Sequence, residues 1–184
     1  SGWSFNVPTQ DLVDAFDSAD KRKNASILDI AAWADANSAR YSEGYEHTGY
    51  FNNKYIPRSG YSKNTTELNY ENNYRYIRYA DVLLMAAEAN NRGGISDSKA
   101  QTYLNQVRSK AGVSAINETG SALTQAIWDE RRLEFAGEGH RFFDLVRTGQ
   151  AANEISGFVA GKHEVFPIPQ TEIDISGLTQ NPGY

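Results

Sequence analysis

Glu130 and Glu134 are the two residues of this chain whose spacing could support catalysis. Residues four apart share one helical face, with Cβ atoms roughly 5–6 Å apart, and retaining glycosidases hold two carboxyl groups about 5–5.5 Å apart. Those groups must stand on opposite sides of a sugar ring, which neighbouring turns of one helix do poorly. Arg131 and Arg132 lie between them in sequence and are expected to keep both carboxylates ionised. A glycoside hydrolase is therefore the less favoured alternative, and no catalytic residue is predicted.

The block IWDERRLEFAGEGHRFFDLVRTG mixes charged residues with large apolar ones along its whole length. A buried carboxylate without a partner costs several kcal/mol, whereas arginine–carboxylate pairs with good geometry offset most of that cost. We therefore predict that this block forms a buried structural charge network. Its predicted members are Glu130, Arg131, Arg132, Glu134, Glu138, His140, Arg141 and Asp144.

Other site chemistries find little support in the sequence. His140 has Gly137 where the helical Glu-x-x-His di-iron pattern requires a carboxylate, and His47 and His163 are remote, so no metal site is predicted. The sequence contains no G-x-S-x-G elbow, no phosphate-binding glycine loop and no cysteine. Its net charge of −5 does not favour a nucleic-acid partner. We predict no cofactor.

Aromatic residues are concentrated in one region, because nine of the eleven tyrosines lie between residues 41 and 79. Flat aromatic faces in loops rich in Asn, Ser and Gly suit a pyranose, and they suit protein recognition equally well. Tyr74, Tyr76 and Tyr79 are expected to pack under the first long helix. The candidate glycan-binding residues are Trp33, Tyr41, Tyr45, Tyr50 and Tyr61.

The amino-terminal region contains few sustained periodic patterns. Residues 9 to 17 are predicted to form a short helix, because Leu12, Val13 and Phe16 share one face. Residues 18 to 78 are predicted to form long loops with one or two brief strands, in SILDI and NKYI. The region 1–77 is therefore expected to be loop-rich and Tyr-rich, with one short helix.

The region 78–184 is predicted to consist of helical hairpins followed by an extended carboxy-terminal tail. Apolar stripes indicate one helix beginning at Arg78 and a second that is capped by Ser96 or Asp97 and ends at Gly112. This pair is typical of tetratricopeptide-like repeats. A third helix, capped by Ser121 and apolar nearly all the way round, and a fourth at 141–148 would form a second hairpin. The tail is expected to be a docked coil.

The sequence blocks, in order, resemble the carboxy-terminal part of the SusD/RagB family. The blocks are VPTQDLVDAF, GYFNNKY, YIRYADVLLMAAEA, LNQVRSKAGV, WDERRLEFAGEGHRFFDLVRTG, VFPIPQTEI and LTQNPGY. The resemblance implies a mainly α fold with tetratricopeptide-like hairpins, long irregular loops and one or two short strands. It also implies that the chain is one compact fragment of a larger protein whose amino-terminal half is its partner.

Family resemblance further implies a function. Members are similar in being non-catalytic lipoproteins of the bacterial outer membrane, which bind oligosaccharides and pass them to a TonB-dependent barrel transporter. The start of the chain lacks the pattern of a signal peptide, so any export signal or lipid anchor is expected to precede Ser1. Glycan contacts vary among members, and none is transferred here by motif. A helical-repeat module that binds only another protein is the alternative.

Overall fold

A computed structural model of the chain describes residues 6–44, 46–56 and 73–184. The chain divides into two compact units, Ser1–Gly139 and His140–Tyr184. The division predicted after residue 77 rested on local sequence pattern alone. In the part of the chain that the structure describes, no helix has the length and apolar character needed to span a membrane.

Short elements form the amino-terminal part of the first unit. Helix α1 spans Gln10–Ala15 and begins as predicted, because the Thr9 hydroxyl accepts a hydrogen bond from the Leu12 amide. Helix α2 spans Arg22–Ser26, strand β1 Ile27–Asp29, helix α3 Ile30–Ala36 and strand β2 Tyr50–Asn52. The two strands pair antiparallel, with Ile27 opposite Asn52, Leu28 opposite Phe51 and Asp29 opposite Tyr50.

Two expectations for this part of the chain were wrong. Residues 1–77 contain α2 and α3 in addition to the one predicted helix, and the second strand is formed by Tyr50–Asn52 and not by NKYI. Helices of five and seven residues are too short to establish an apolar stripe over several turns, which is the signal that sequence patterns supply.

Longer helices form the core of the first unit. Helix α4 spans Tyr79–Arg92, α5 spans Asp97–Ala111 and α6 spans Gly120–Glu134. The predicted hairpin of α4 and α5 is confirmed, with the Ser96 hydroxyl capping α5 and Gly112 ending it at φ +82°. The core between the three helices contains Leu84, Ala87, Leu104, Leu123 and Ile127, all essentially inaccessible to solvent.

Helix α6 differs in part from its prediction. Thr119 precedes the helix in the capping position without a side-chain hydrogen bond, and Ser121 lies inside the first turn. The amino-terminal half is amphipathic, since Gln125 and Asp129 are exposed. From residue 130 to residue 138, however, every residue is buried or half-buried. The prediction that α6 lies between neighbouring elements therefore holds for its carboxy-terminal half, which carries Glu130, Arg131, Arg132 and Glu134.

The second unit contains three short helices, α7 Arg141–Arg147, α8 Ala151–Glu154 and α9 Gln170–Ser176. The expectation of a purely coiled tail was wrong, because α9 begins directly after Pro169 and ends at Gly177 with φ +65°. The rest of the tail is tied down by side chains. Gln180 donates to the Ile168 carbonyl and accepts from its amide, both at 2.8 Å. The hairpin predicted from α6 and α7 would join the two units and stays a prediction.

Candidate functional site

The carboxy-terminal half of α6 and the turn after it present three carboxylates on one face: Glu130, Glu134 and Glu138, here called the carboxylate row. The Glu130 side chain is completely buried. Its two oxygens accept hydrogen bonds from Arg22 at 2.6 Å and from Arg108 at 2.7 Å. Each oxygen of this carboxylate therefore has a cationic donor, which compensates for its removal from water.

The other two members of the carboxylate row share their donors. Glu134 accepts from Arg22 at 3.0 Å and from Arg78 at 2.8 Å. Glu138 accepts from two nitrogens of Arg78, at 2.9 and 2.8 Å, and from the Lys54 ammonium at 2.5 Å. Arg22 and Arg78 thus bridge consecutive carboxylates, and the donors come from α2, the segment after β2 and the residue before α4.

The donors are not the arginines that the sequence suggested. Arg131 instead pairs with Asp81 of α4 at 2.7 Å, and Arg132 pairs with Asp11 of α1. A neighbouring residue on a helix points about 100° away from a glutamate, so Arg131 and Arg132 face other elements. The prediction that Arg131 and Arg132 pair with Glu130 and Glu134 was therefore wrong, although each arginine pairs with another acidic residue.

The remaining predicted members of the network lie in the second unit and form local pairs. Arg141 donates to Glu154 at 3.1 Å, and Arg147 donates to Asp144 at 2.8 Å. His140 is the residue directly before α7 and makes no side-chain cap. Glu130, Glu134 and Glu138 thus share one cluster of donors in the first unit. A single network of all eight residues stays a prediction.

Electrostatic shifts follow from this geometry. Burial raises the pKa of Glu138, but the hydrogen bonds from Arg78 and Lys54 outweigh burial and leave that pKa below its usual value. Burial is the largest influence on Lys54 and leaves its pKa below the usual value despite Glu138. Burial would also lower the pKa of Arg78, but its two carboxylate partners raise it overall. A glycosidase acid requires a raised carboxyl pKa, and Glu138 is shifted in the opposite direction.

A cavity of about 290 Å³ lies beside Glu134 and Glu138. Tyr55 lines it, and the Tyr55 ring stacks on Tyr74 with centroids 5.9 Å apart. The Tyr74 hydroxyl donates to the Glu138 carbonyl at 3.0 Å. The expectation that Tyr74, Tyr76 and Tyr79 pack under the first long helix was wrong, because all three are exposed. Tyr74 supports the turn after α6, and Tyr76 is 80% exposed.

Two of the predicted glycan-binding residues, Trp33 and Tyr41, are exposed in the structure. Trp33 projects from α3 and is 44% exposed, and Tyr41 is also exposed. The Tyr41 ring lies 5.7 Å from the His47 ring, which lies 6.0 Å from the Phe51 ring. We call Tyr41, His47 and Phe51 the aromatic row. Tyr45 and Tyr61 lie outside the described residues.

Tyr50 lies on the other side of the sheet from the aromatic row. Successive strand residues point to opposite faces, and Tyr50 packs against the core cluster of Val13, Phe16 and Ile27. Sequence reasoning missed His47 and Phe51. Strand alternation could have identified Phe51, had the second strand been placed correctly at residues 50–52.

The described residues contain no arrangement of side chains suited to binding a metal ion. Within 6–44, 46–56 and 73–184, no group of three or more His, Asp or Glu side chains is arranged to hold an ion.

A tetratricopeptide-type hairpin and a two-stranded antiparallel sheet together define a mainly α domain. The comparison with known families identifies its class more closely. The chain belongs to the SusD family, whose family model matches residues 1–164.

Individual relatives agree with this assignment. The chain is 29% identical to SusD-like protein P2 of Formosa agariphila, covering 100% of this chain and 41% of that protein. It is similar in structure to a laminarin-binding SusD-like protein, with a TM-score of 0.86, 46% identity and coverage of 100% of this chain and 39% of that one.

A second similar structure is surface glycan-binding protein A from Bacteroides thetaiotaomicron in complex with laminarihexaose. Its TM-score is 0.84 and its identity 36%, with 98% of this chain and 42% of that one covered. The chain thus spans about two fifths of the length of these relatives.

Proposed function

We propose that this chain is the carboxy-terminal part of a non-catalytic glycan-binding protein at the bacterial cell surface, and that its ligand is an oligosaccharide of the laminarin type. The exposed rings of Trp33 and Tyr41, here together called the aromatic surface, carry this proposal from the structure; His47 and Phe51, which continue from Tyr41, are half-buried. Similarity over the whole chain to proteins whose names specify laminarin or laminarihexaose supports the choice of ligand.

The aromatic surface has the chemistry that a sugar requires. A pyranose presents C–H groups on its faces and hydroxyls at its edge, so an aromatic ring contacts the face while nearby polar groups bind the edge. Trp33 and Tyr41 are exposed, and the surrounding segment is rich in Asn, Ser and Gly. We propose Trp33 and Tyr41 as contact residues and keep Tyr45 and Tyr61 as further candidates. Tyr50 is assigned to packing because it lies against the core cluster.

Binding without bond cleavage agrees with the state of the carboxylate row. Glu130 and Glu134 each have two arginine donors and sit on adjacent turns of one helix. A catalytic pair needs one carboxyl group on each side of the sugar and a protonated acid. We propose that these carboxylates hold α6 to α2, α4 and α5.

The proposal is tested with laminarihexaose and the full-length protein. Calorimetry and tryptophan fluorescence should detect binding, and Trp33→Ala should weaken it by about 1–3 kcal/mol, because the ring loses its contact with the sugar face. Tyr76→Ala is the matched control, since Tyr76 is an exposed aromatic residue outside the aromatic row. A folded full-length protein that gives no signal with any oligosaccharide would refute glycan binding. An equal loss in both variants would refute this surface.

Location and delivery are parts of the same proposal. We propose an outer-membrane, surface-exposed protein that is lipid-anchored through a segment outside this chain and that passes sugar to a TonB-dependent barrel transporter. Isolation of the full-length protein from its own cells should yield the transporter as a partner. If a transporter is recovered and no sugar binds, the alternative of a purely protein-binding helical module is favoured.

A further inference from the structure

The cavity of about 290 Å³ beside the carboxylate row, here called the basic cavity, is lined by more basic than acidic groups. Its wall contains the basic side chains of Arg22, Lys54, Arg75 and Arg78 and the carboxylates of Glu134 and Glu138. An excess of basic groups around a concave site favours an anionic ligand. The volume is close to the lower limit of about 300 Å³ for small-ligand sites, so the basic cavity suits one compact group better than a long chain.

Arg75 differs from the other basic residues of the basic cavity. In the ion-pair cluster, the carboxylate row and Asp20 supply four carboxylates, and their basic partners are the four side chains of Arg22, Lys54, Arg78 and Arg108. Arg75 is exposed, and no hydrogen bond or ion pair joins its guanidinium to another residue that the structure describes. A guanidinium carries five N–H donors in a planar fork that can bind two oxygens of one anionic group. The positive charge of Arg75 is therefore available to a ligand.

Lys54 has a further donor for the same ligand. Its ammonium donates to the Glu138 carboxylate at 2.5 Å and to the Glu134 carbonyl at 2.6 Å. An ammonium has three donor protons, so a third stays available on the cavity wall. Burial keeps the pKa of Lys54 below its usual value despite Glu138, which indicates that nearby negative charge compensates only part of the cost of burying this ammonium.

Tyr55 gives the basic cavity an aromatic border. Tyr55 lines the cavity, and its ring stacks on the exposed ring of Tyr74. A sugar presents C–H groups that pack on an aromatic ring, whereas a free inorganic anion gains nothing from that contact. An arginine and an aromatic ring side by side therefore suit a sugar that carries an anionic group.

We propose that the basic cavity binds an acidic sugar, whose carboxylate or sulfate group pairs with Arg75 and Lys54 and whose ring packs against Tyr55. The basic cavity shares no residue with the aromatic surface of Trp33 and Tyr41, to which the laminarin-type ligand is assigned. The protein thus has a second sugar site, and this second site selects for charge.

The probes for this site are glucuronic acid and glucose 6-sulfate, with glucose as their neutral counterpart. In calorimetry of the full-length protein at neutral pH and low salt, we expect at least one acidic sugar to bind about tenfold or more tightly than glucose. The one that binds more tightly identifies the anionic group as carboxylate or sulfate. Arg75→Gln should weaken this binding about tenfold or more, because charge-assisted hydrogen bonds are lost.

Lys99→Gln is the matched control for Arg75→Gln. It also removes one positive charge from an exposed side chain, in the first turn of α5, and should leave binding of the acidic sugar unchanged. Equal effects of the two substitutions would overturn the proposal, and so would equal affinities for glucose and the acidic sugars. Inorganic sulfate that binds as tightly as glucose 6-sulfate would show that the sugar ring makes no contact, which would also overturn it.

Laminarihexaose, titrated into the same samples, separates this site from the proposed function. A parent protein that binds laminarihexaose but no acidic sugar would overturn the second site and leave the proposed function intact. Loss of both ligands in a folded Arg75→Gln variant would show that they share one site, and would overturn a separate site for acidic sugars.

Discussion

At the scale of single residues, Glu130 shows how one buried charge organises its surroundings. Its carboxylate is held by Arg22, which lies 108 residues earlier in the sequence, and by Arg108, which lies 22 residues earlier. Arg22 in turn binds Asp20 at 2.7 Å and Glu134 at 3.0 Å. Because Glu130 accepts from two arginines, removing its charge weakens the compensation of both arginines at once.

Replacing Glu130 with glutamine should therefore destabilise the protein strongly. Glu130→Gln keeps the shape but leaves Arg22 and Arg108 with a neutral acceptor, and breaking a buried pair costs about 3–5 kcal/mol. Urea unfolding of the full-length protein would measure this loss. Glu118→Gln is the control, because Glu118 is exposed in the loop before α6 and should change stability by about 0.5 kcal/mol or less. Similar effects of the two substitutions would contradict the structural role of Glu130.

Glu138 makes a prediction about pH. Its pKa in the folded protein lies below the usual 4.5, because Arg78 and Lys54 stabilise the carboxylate by more than burial destabilises it. A depressed carboxyl pKa stabilises the fold above the unfolded-state pKa, and the contribution is lost as the pH falls through the folded-state pKa.

The free energy of unfolding should consequently fall below about pH 4.5, and Glu138→Gln should reduce that fall. The stability difference between parent and variant should be greatest near neutral pH and should shrink toward about pH 3. Chemical denaturation across this range measures both quantities. A difference that stays constant with pH would show that the Glu138 charge does not contribute in this way.

At the scale of elements, the turn after α6 is fixed to strand β2. Asn52 donates to the Gly137 carbonyl at 3.0 Å, and its own side-chain oxygen accepts from the Lys54 amide at 3.0 Å. Gly137 has φ +74°, and a Cβ there would lie 2.8 Å from Cγ and 2.9 Å from Oδ1 of Asn52. The close approach of turn and strand therefore requires glycine for two separate reasons.

Two glycine substitutions separate the cost of the positive φ from the cost of the contact with Asn52. Gly149 has φ +73°, and no atom lies within 4 Å of the place that a Cβ would occupy, so Gly149→Ala costs the backbone strain alone, about 1–2 kcal/mol. Gly137→Ala adds the clash with the anchored Asn52 amide, about 1–3 kcal/mol more. Thermal or urea unfolding of both variants provides the comparison. Equal losses would mean that Asn52 can move aside without cost.

Sequence patterns predicted the elements that repeat a signal over several turns. Helices α4 and α5 were found because apolar residues recur along 14 and 15 residues and Ser96 and Gly112 mark the ends of α5. Helices α2, α3, α8 and α9 were missed, since four to seven residues give too little periodicity. The burial of charge around Glu130 was predictable from composition, but its partners were not. Arg22 reaches Glu130 through tertiary folding, which local spacing does not encode.

At the scale of the whole molecule, the carboxylate row connects distant parts of the first unit. Arg22 belongs to α2, Lys54 follows β2, Arg78 precedes α4 and Arg108 belongs to α5, and all four donate to carboxylates of α6 and its turn. These ion pairs link α2, α4 and α5 to the carboxy-terminal half of α6. The exposed rings of Trp33 on α3 and Tyr41 in the loop after it belong to the same unit, and within the part of the chain that the structure describes neither ring forms a hydrogen bond with these carboxylates.

This separation predicts that the full-length protein binds laminarihexaose and returns it uncut. Glu130 and Glu134 lie on one side of a single helix and each is paired with two arginines, an arrangement that does not place one carboxyl group on each face of a pyranose. Chromatography after long incubation should recover the hexasaccharide alone, in samples where calorimetry demonstrates binding.

Shorter products that vanish in a folded Glu134→Gln variant would identify the carboxylate row as catalytic and would refute the capture role. Intact sugar together with a binding loss confined to Trp33→Ala would place recognition on the aromatic surface, where the ring is open to solvent and the carboxylate row takes no part in the contact.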